Sequence, residues 1–299
     1  MRWLVTGAAG MLGRDTVGEL RGRGADVIGL ARAALDVGEP GAVRRAFARY
    51  RPEVVVNCAA YTAVDDAETD EASALRINGD GARNLARACA EHGVRLVHVS
   101  TDYVFDGAAR TTPYPEDHPP APRTAYGRTK LAGERAVLEE LPGAGAVVRT
   151  AWLYGVHGRS FVRTMLELEA RRDTLDVVAD QRGQPTWSAD VAARLADLGT
   201  RLRRDEQAHG VFHATGSGEA SWYELAREVF LLAGADPDRV RPTSSAAFPR
   251  PAPRPAYSAL GHERWRETGL APPRHWRSAL REALPRIREE MARRPTRPC

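Results

Sequence analysis

Residues 3–22 carry the strongest constraint in this chain. The apolar run Trp3-Leu4-Val5 passes through Thr6 into Gly7-Ala8-Ala9-Gly10-Met11-Leu12-Gly13. An amphipathic stretch follows, with Leu12, Thr16, Val17 and Leu20 at helical spacing. Strand, tight turn and helix N-terminus in that order form an anion site, because free backbone N–H groups and the helix dipole both point at a phosphate. Gly7 allows the turn, Gly10 permits close approach of a pyrophosphate, and Gly13 lets the helix pack on the strand. A purely structural turn would show the same three glycines. Their position directly behind an apolar strand favours a dinucleotide site.

The rest of the N-terminal half repeats the strand–helix alternation. The pattern predicts strands at 2–6, 26–30, 53–58, 94–100 and 145–149, and helices at 12–22, 40–50, 70–91 and 125–140. Runs such as Val54-Val55-Val56 and Leu96-Val97-His98-Val99 are continuously apolar or nearly so, which is how parallel strands covered on both faces read. The expected fold class is therefore α/β: a doubly wound, Rossmann-like parallel sheet with ligand at the C-terminal strand ends, and a smaller α+β C-terminal substrate domain. Residues 1–150 are assigned to dinucleotide binding. Residues 151–299 fall mostly to the substrate domain, with a segment near 175–215 returning to the first. Prolines exclude helix or central strand from 241–255. Helices are expected near 221–233 and 276–292, and residues 293–299 read as a frayed end. No internal repeat is present.

Composition narrows the setting. No apolar stretch nears the ~20 residues that span a bilayer, and the first residues enter a strand with no room for a signal peptide. Three cysteines, Cys58, Cys89 and Cys299, are too scattered for a disulfide framework, which points to a reducing, cytoplasmic compartment. The net charge of +4 is modest, and the arginines alternate with acids instead of clustering. That argues against a nucleic-acid surface and is compatible with an anionic small ligand.

One lysine stands among 43 basic residues, and it lies four positions after a tyrosine, in Tyr126-Gly127-Arg128-Thr129-Lys130. With eight tyrosines in the chain, a randomly placed lysine would fall at this helix-face spacing about 3% of the time. A GC-rich genome explains the scarcity of lysine; it does not explain the place. An ammonium stacked near a phenol favours the phenolate and moves its pKa from ~10 toward the working range. Such a tyrosine gives a proton to a carbonyl oxygen as hydride arrives, or takes one from an alcohol. The lysine also suits ribose hydroxyls. A third donor is expected at a strand end, where Ser100-Thr101 lies.

On these segments the chain resembles an extended short-chain dehydrogenase/reductase, and within that group the dTDP-4-dehydrorhamnose reductase family. The matching strings run nearly end to end. They include Asn57-Cys58-Ala59-Ala60-Tyr61-Thr62-Ala63-Val64-Asp65, Ser100-Thr101-Asp102-Tyr103-Val104-Phe105-Asp106-Gly107, Arg149-Thr150-Ala151-Trp152 and Asp180-Gln181-Arg182-Gly183-Gln184-Pro185-Thr186. The resemblance implies catalytic Thr101, Tyr126 and Lys130, and sugar contacts from Thr101, Asp102, Tyr103, Tyr126 and Trp152. It also implies a dTDP-linked 4-keto-deoxysugar as substrate, held by the C-terminal domain. Cofactor contacts are assigned to Gly7, Gly10, Met11, Leu12, Gly13, Arg32, Asp36, Val37, Ala59, Ala60, Tyr61, Tyr126 and Lys130. Some relatives carry Mg2+ at a dimer contact, but its ligands find no residue-by-residue match here, so no metal residue is assigned. Monomer and homodimer both stay open.

The second strand bears on cofactor choice. An acid at its end would accept ribose hydroxyls and select NAD, whereas an arginine accommodates a 2′-phosphate. This strand ends Leu30-Ala31-Arg32, with no acid before Asp36, which favours NADPH over NADH. Arg32 facing water is the competing reading. Dehydratases of this group place Asp-Glu after the threonine, whereas here Asp102-Tyr103 follows. Epimerases, regulatory cofactor-binding subunits and reductases of antibiotic pathways, such as the one making dTDP-dihydrostreptose, remain as rivals.

Other groups read as structural. The acids from Asp65 to Glu71 suit a helix start. His209 and His213 flank a strand, about 13 Å apart, too far to share a metal. His98 reads as a core histidine, Cys58 as packing, and Arg128 as surface-facing. Arg254, in a stiff Pro-Arg loop, is a candidate grip on the substrate diphosphate.

Overall fold

The computed structural model describes residues 1–108, 110–204 and 208–293. The expected frayed end lies almost wholly outside them. In chain order the elements are β1 (Arg2–Thr6), α1 (Met11–Gly22), β2 (Asp26–Leu30), α2 (Pro40–Tyr50), β3 (Val54–Asn57), α3 (Glu71–Leu75), α4 (Gly81–His92), β4 (Arg95–Thr101), α5 (Ala125–Glu140) and β5 (Gly145–Thr150). There follow β6 (Leu153–Tyr154), α6 (Phe161–Glu169), β7 (Leu175–Val178), β8 (Arg182–Gly183), β9 (Thr186–Trp187), α7 (Ser188–Arg204), β10 (Gly210–His213), β11 (Ala220–Ser221), α8 (Trp222–Ala233), β12 (Val240–Thr243), α9 (Glu263–Glu267) and α10 (Trp276–Arg293).

Six parallel strands form the main sheet in the order β10-β5-β4-β3-β1-β2. The apolar strands resolve into two faces with period two. Trp3, Val5, Val54 and Val56 join α1 and α7 in one core, while Leu4 and Val55 join α2, α4 and α5 in the other. Gly199 allows α7 to sit on β1, since a Cβ there would lie 2.5 Å from the Trp3 ring. Helices α6, α8 and α10 build a third core around Trp187, Phe230 and Trp276. The segment rejoining the main sheet is shorter than 175–215. Strand β7 pairs with β12 and β8 with β11, so only α7 and β10 return.

The helix expected at 70–91 is three pieces. Between α3 and α4 the chain widens into a π-helical turn, Arg76–Asp80. There Asn78 Oδ1 accepts from Tyr61 N–H at 2.9 Å, and Asn78 Nδ2 donates to Tyr61 O and Thr129 Oγ1, both at 3.1 Å. The turn thus ties the loop after β3 to α5. Within the acidic run, Asp70 caps α3 by accepting from Ser73 N–H, and Glu68 accepts from Ala125 N–H at the start of α5.

Beneath the end of β5 lies an almost fully buried ion pair. Arg149 donates from Nε to Glu134 Oε1 at 2.9 Å and from Nη2 to Oε2 at 2.8 Å, with both side chains at most 3% exposed. Breaking such a pair leaves a buried charge without a partner, at a cost of about 3–5 kcal/mol. Arg149→Met should therefore lower the urea unfolding free energy by about that much, while Arg149→Met with Glu134→Met should recover most of it.

Candidate active site

The C-terminal ends of β1, β3, β4 and β5 open into one groove of about 810 Å³. All the residues assigned from sequence to cofactor, substrate or catalysis line it, with one exception, Arg254. At its head, Gly7 takes φ +63°, and a Cβ there would lie 2.7 Å from Cys58 backbone atoms. A Cβ on Gly13 would lie 2.2 Å from Gly7 O, so α1 needs that glycine to press on the turn. Helix α1 has no side-chain cap and no acid in its first turn. Its first residues, Met11, Leu12 and Gly13, line the groove, and Arg159 adds a cation to the wall. This cradle fits a dinucleotide diphosphate.

At the adenosine end, Arg32 is exposed beyond β2 and lines the groove. Asp36 is already engaged: Arg76 Nη2 donates to its Oδ2 at 3.0 Å and Gly38 N–H to its Oδ1 at 2.9 Å. The Arg76 guanidinium holds the Asp36 carboxyl below the usual carboxylate range, and Arg32 adds to the pull. The nearest acid to β2 is thus paired rather than free for ribose hydroxyls.

The reactive end is built by α5 against β4. Thr124 caps α5 by accepting from Gly127 N–H at 3.0 Å, which places Tyr126 in the first turn. A Cβ on Gly127 would lie 2.2 Å from Tyr103 O, so this turn meets the end of β4 backbone to backbone. Tyr126 then lies beside the Thr101 side chain. Thr101 Oγ1 accepts from Tyr103 N–H at 3.2 Å and donates to Asp102 Oδ1 at 2.9 Å. The Tyr103 ring stands edge-on to Tyr126, centroids 5.6 Å apart.

The charge on Lys130 does not act on Tyr126 as the spacing suggested. Burial pushes the Tyr126 phenol up to about 12, Thr101 pulls it back, and Asp102 raises it further. Lys130 is only 2% exposed, and its Nζ turns to the strand, donating to Val99 O at 2.6 Å. Burial draws the lysine down to about 8, against the opposing pull of Glu134 and Cys58. The Asp102 carboxyl, also buried, rises to about 6, although Thr101 and Ser258 hold it down. Ser100 Oγ and Thr150 Oγ1, on the groove wall, are buried with no hydrogen-bond partner and are free to take a ligand's polar groups.

One further assignment changes. Arg254 is held away from the groove by a two-pronged pair with Asp65, at 2.9 and 2.8 Å, beside Tyr103. Asp65 thus both opens the 3-10 helical turn Asp66–Glu68 and clasps the C-terminal loop. Arg128 is exposed and grips Glu71 at 2.9 and 2.7 Å. Burial pushes the Cys58 thiol up to about 12, which fits packing. His98 is buried as expected, yet its Nε2 lies 3.5 Å from Lys130 Nζ. Sequence reasoning also missed Trp222, whose ring stacks on Trp152 with centroids 3.5 Å apart. Trp152 itself holds φ +48°, a left-handed conformation that costs a bulky residue about 1–3 kcal/mol and that cores keep only where surroundings impose it.

A parallel Rossmann-like sheet, a glycine turn and a Tyr–Lys pair on one helix facing one groove define a short-chain dehydrogenase/reductase. Comparison narrows that class: the family model described as RmlD substrate binding domain matches residues 1–289, and the chain belongs to this family. It is 64% identical to a Streptomyces antibioticus protein named probable dTDP-4,6-dihydroxy-2-methyloxan-3-one 4-ketoreductase, over 96% of each chain. It is 56% identical to a dTDP-4-dehydrorhamnose reductase of Streptomyces griseus, over 96% of this chain and 94% of the other. The crystal structure of a dTDP-4-dehydrorhamnose reductase from Bacillus anthracis in complex with NADP superimposes with a TM-score of 0.88, at 38% identity, covering 94% of this chain and 98% of that one.

Since folding raises the Asp102 carboxyl from 3.8 to about 6, its ionisation opposes folding above that range. Asp102→Asn should accordingly stabilise the ligand-free protein at pH 7 by about 3 kcal/mol in urea unfolding. The gain should shrink as pH falls through 6 and vanish only below about pH 3, where the wild-type carboxyl is protonated in both states.

Proposed function

We propose that this chain is an NADPH-dependent reductase that converts the C4 keto group of a dTDP-linked 4-keto-6-deoxysugar to an alcohol. The observation that carries it is the meeting of Thr101, Tyr126 and Lys130 in the groove headed by the glycine turn. Relatives at 54–64% identity bear names of dTDP-sugar keto reductases, which supports the substrate class. Reduction of dTDP-4-dehydro-L-rhamnose to dTDP-L-rhamnose is the first reading. The 64% identity to the Streptomyces antibioticus ketoreductase, above the 56% to the named rhamnose enzyme, favours as a second a sister reductase of an antibiotic pathway.

NADPH, when bound, supplies the hydride. Gly7, Gly10, Met11, Leu12 and Gly13 would hold its diphosphate, Arg32 its 2′-phosphate, and Val37, Ala59, Ala60 and Tyr61 the faces between, with Lys130 near a ribose. Tyr126 is the proton donor: at about 12 its phenol is fully protonated at neutral pH and ready to give that proton to an alkoxide, which is far more basic. The single Thr101 proton faces Asp102 at 2.9 Å; turned toward Tyr126, the same hydroxyl steadies the phenolate left behind. The Tyr103 and Trp152 rings wall off the sugar end and exclude water.

Asp102 is the carboxylate that acts on Tyr126, and it is followed by Tyr103 in place of the glutamate of dehydratases, which argues against a dehydratase. The enzyme should consume one NADPH per dTDP-4-keto-sugar, and NMR of the product identifies the sugar. Tyr126→Phe should cut turnover at least about 10²-fold with the fold intact. Arg32→Ser should raise the KM for NADPH about tenfold and leave that for NADH nearly unchanged, since only NADPH carries the 2′-phosphate.

A further inference from the structure

Beneath the groove runs a row of buried polar side chains that the reductase reading does not use: Thr6, Asn57 and His98, ending at Lys130. None is more than 2% exposed. The direction of hydrogen bonding along the row is not free. Ala59 N–H, which can only donate, points at Asn57 Oδ1 at 3.1 Å, and Thr6 Oγ1 donates to the same oxygen at 2.6 Å. The carboxamide is thereby oriented with Nδ2 toward His98, 2.9 Å from its Nδ1. An amide nitrogen donates, so Nδ1 accepts. Burial, reinforced by the Lys130 charge, holds His98 well below its usual pKa and hence neutral. A neutral imidazole with an accepting Nδ1 carries its proton on Nε2, and Nε2 faces Lys130 Nζ at 3.5 Å.

Lys130 therefore meets opposing signals. Val99 O accepts from Nζ and favours the ammonium. From α5, Glu134 pulls the same way, though Arg149 already satisfies both of its oxygens. Behind β3, Cys58 stays a neutral thiol. Against these, an N–H directed at an ammonium meets like polarity, whereas a free amine has the lone pair to accept it. We propose that His98 is a positioning residue for Lys130: through the one-way row Thr6–Asn57–His98 it presents an N–H to Nζ and holds the lysine ready to lose and regain a proton. The lowered lysine pKa, about 8, is in line with this. An anionic dinucleotide entering the groove then brings the negative charge that restores the ammonium, so binding is accompanied by proton uptake at this one nitrogen. Only this last consequence rests on the reductase reading. The charge state belongs to the ligand-free chain.

Lys130 is the chain's single lysine, so lysine carrying 13C at Cε gives one side-chain resonance that needs no assignment. In His98→Leu the midpoint of its titration should rise by about one pH unit, because the opposing N–H is gone. Were the ring only apolar filling, leucine would leave the midpoint unchanged or push it lower, and that result overturns the proposal. A readout needing no variant is the tautomer itself, from 15N shifts of the His98 ring in the wild-type protein. A proton found on Nδ1 sinks the idea whether or not the leucine variant folds. With NADP+ added near pH 8, the 13Cε signal should move to the ammonium position. Bound NADP+ with an unmoved signal defeats the proton-uptake step. If NADP+ does not bind at all, the reductase reading fails instead, and the ligand-free titration still decides the role of His98.

Discussion

Helix α5 can lie where it does only because two of its residues lack a Cβ. Side chains at Gly127 and Gly133 would each place a carbon 2.2 Å from a backbone oxygen, of Tyr103 on one side and Asn78 on the other. No rotamer relieves a clash with backbone, so the helix touches the end of β4 and the π-helical turn directly. That contact brings Tyr126 to Thr101 and lets Lys130 Nζ reach Val99 O. The supporting bonds differ in weight. The Thr124 cap stabilises the first turn by about 1 kcal/mol, and the buried Asn78–Thr129 bond does similar work. The Arg128–Glu71 pair, with both side chains more than 40% exposed, contributes at most about 1 kcal/mol despite its geometry. Close backbone approach, rather than surface charge, sets the reactive geometry.

What was legible beforehand follows from how far each signal reaches along the chain. The first five strands of the main sheet carry apolar runs of three or more residues, and their limits, like those of α1, α2 and α5, fall within a residue or two of the expected ones. Glycines at a fixed spacing behind a strand, and a tyrosine four residues before a lysine, are local patterns of the same kind. The π-helical turn was hidden because one extra residue per turn hardly disturbs the spacing of the buried Ala74, Asn78 and Ala82. Trp152 gave no warning of its left-handed backbone, since tryptophan, unlike glycine or asparagine, has no leaning toward one. Arg254 suits a diphosphate grip on sequence alone because its partner, Asp65, is 189 residues away. His98 was taken for a core residue, which its burial fits. Its contact with Lys130 depends on the register of β4 beneath α5, and composition carries no trace of that.

Burial weakens the charge on the floor of the groove. Asp102 is moved toward its acid, Tyr126 toward its phenol, Lys130 toward its amine and Cys58 toward its thiol, each with desolvation as the largest cause. Positive charge is found instead at the rim, on Arg32 and Arg159 and at the uncapped start of α1. A molecule with an anionic diphosphate and neutral rings is therefore matched twice: its phosphates by the rim, its rings by the floor. The division also suits the proton transfer. A phenol that keeps its proton in the empty groove is available as an acid for the oxygen on which charge develops. The burial that raises the phenol is thus a working part of the site as much as the hydroxyls are.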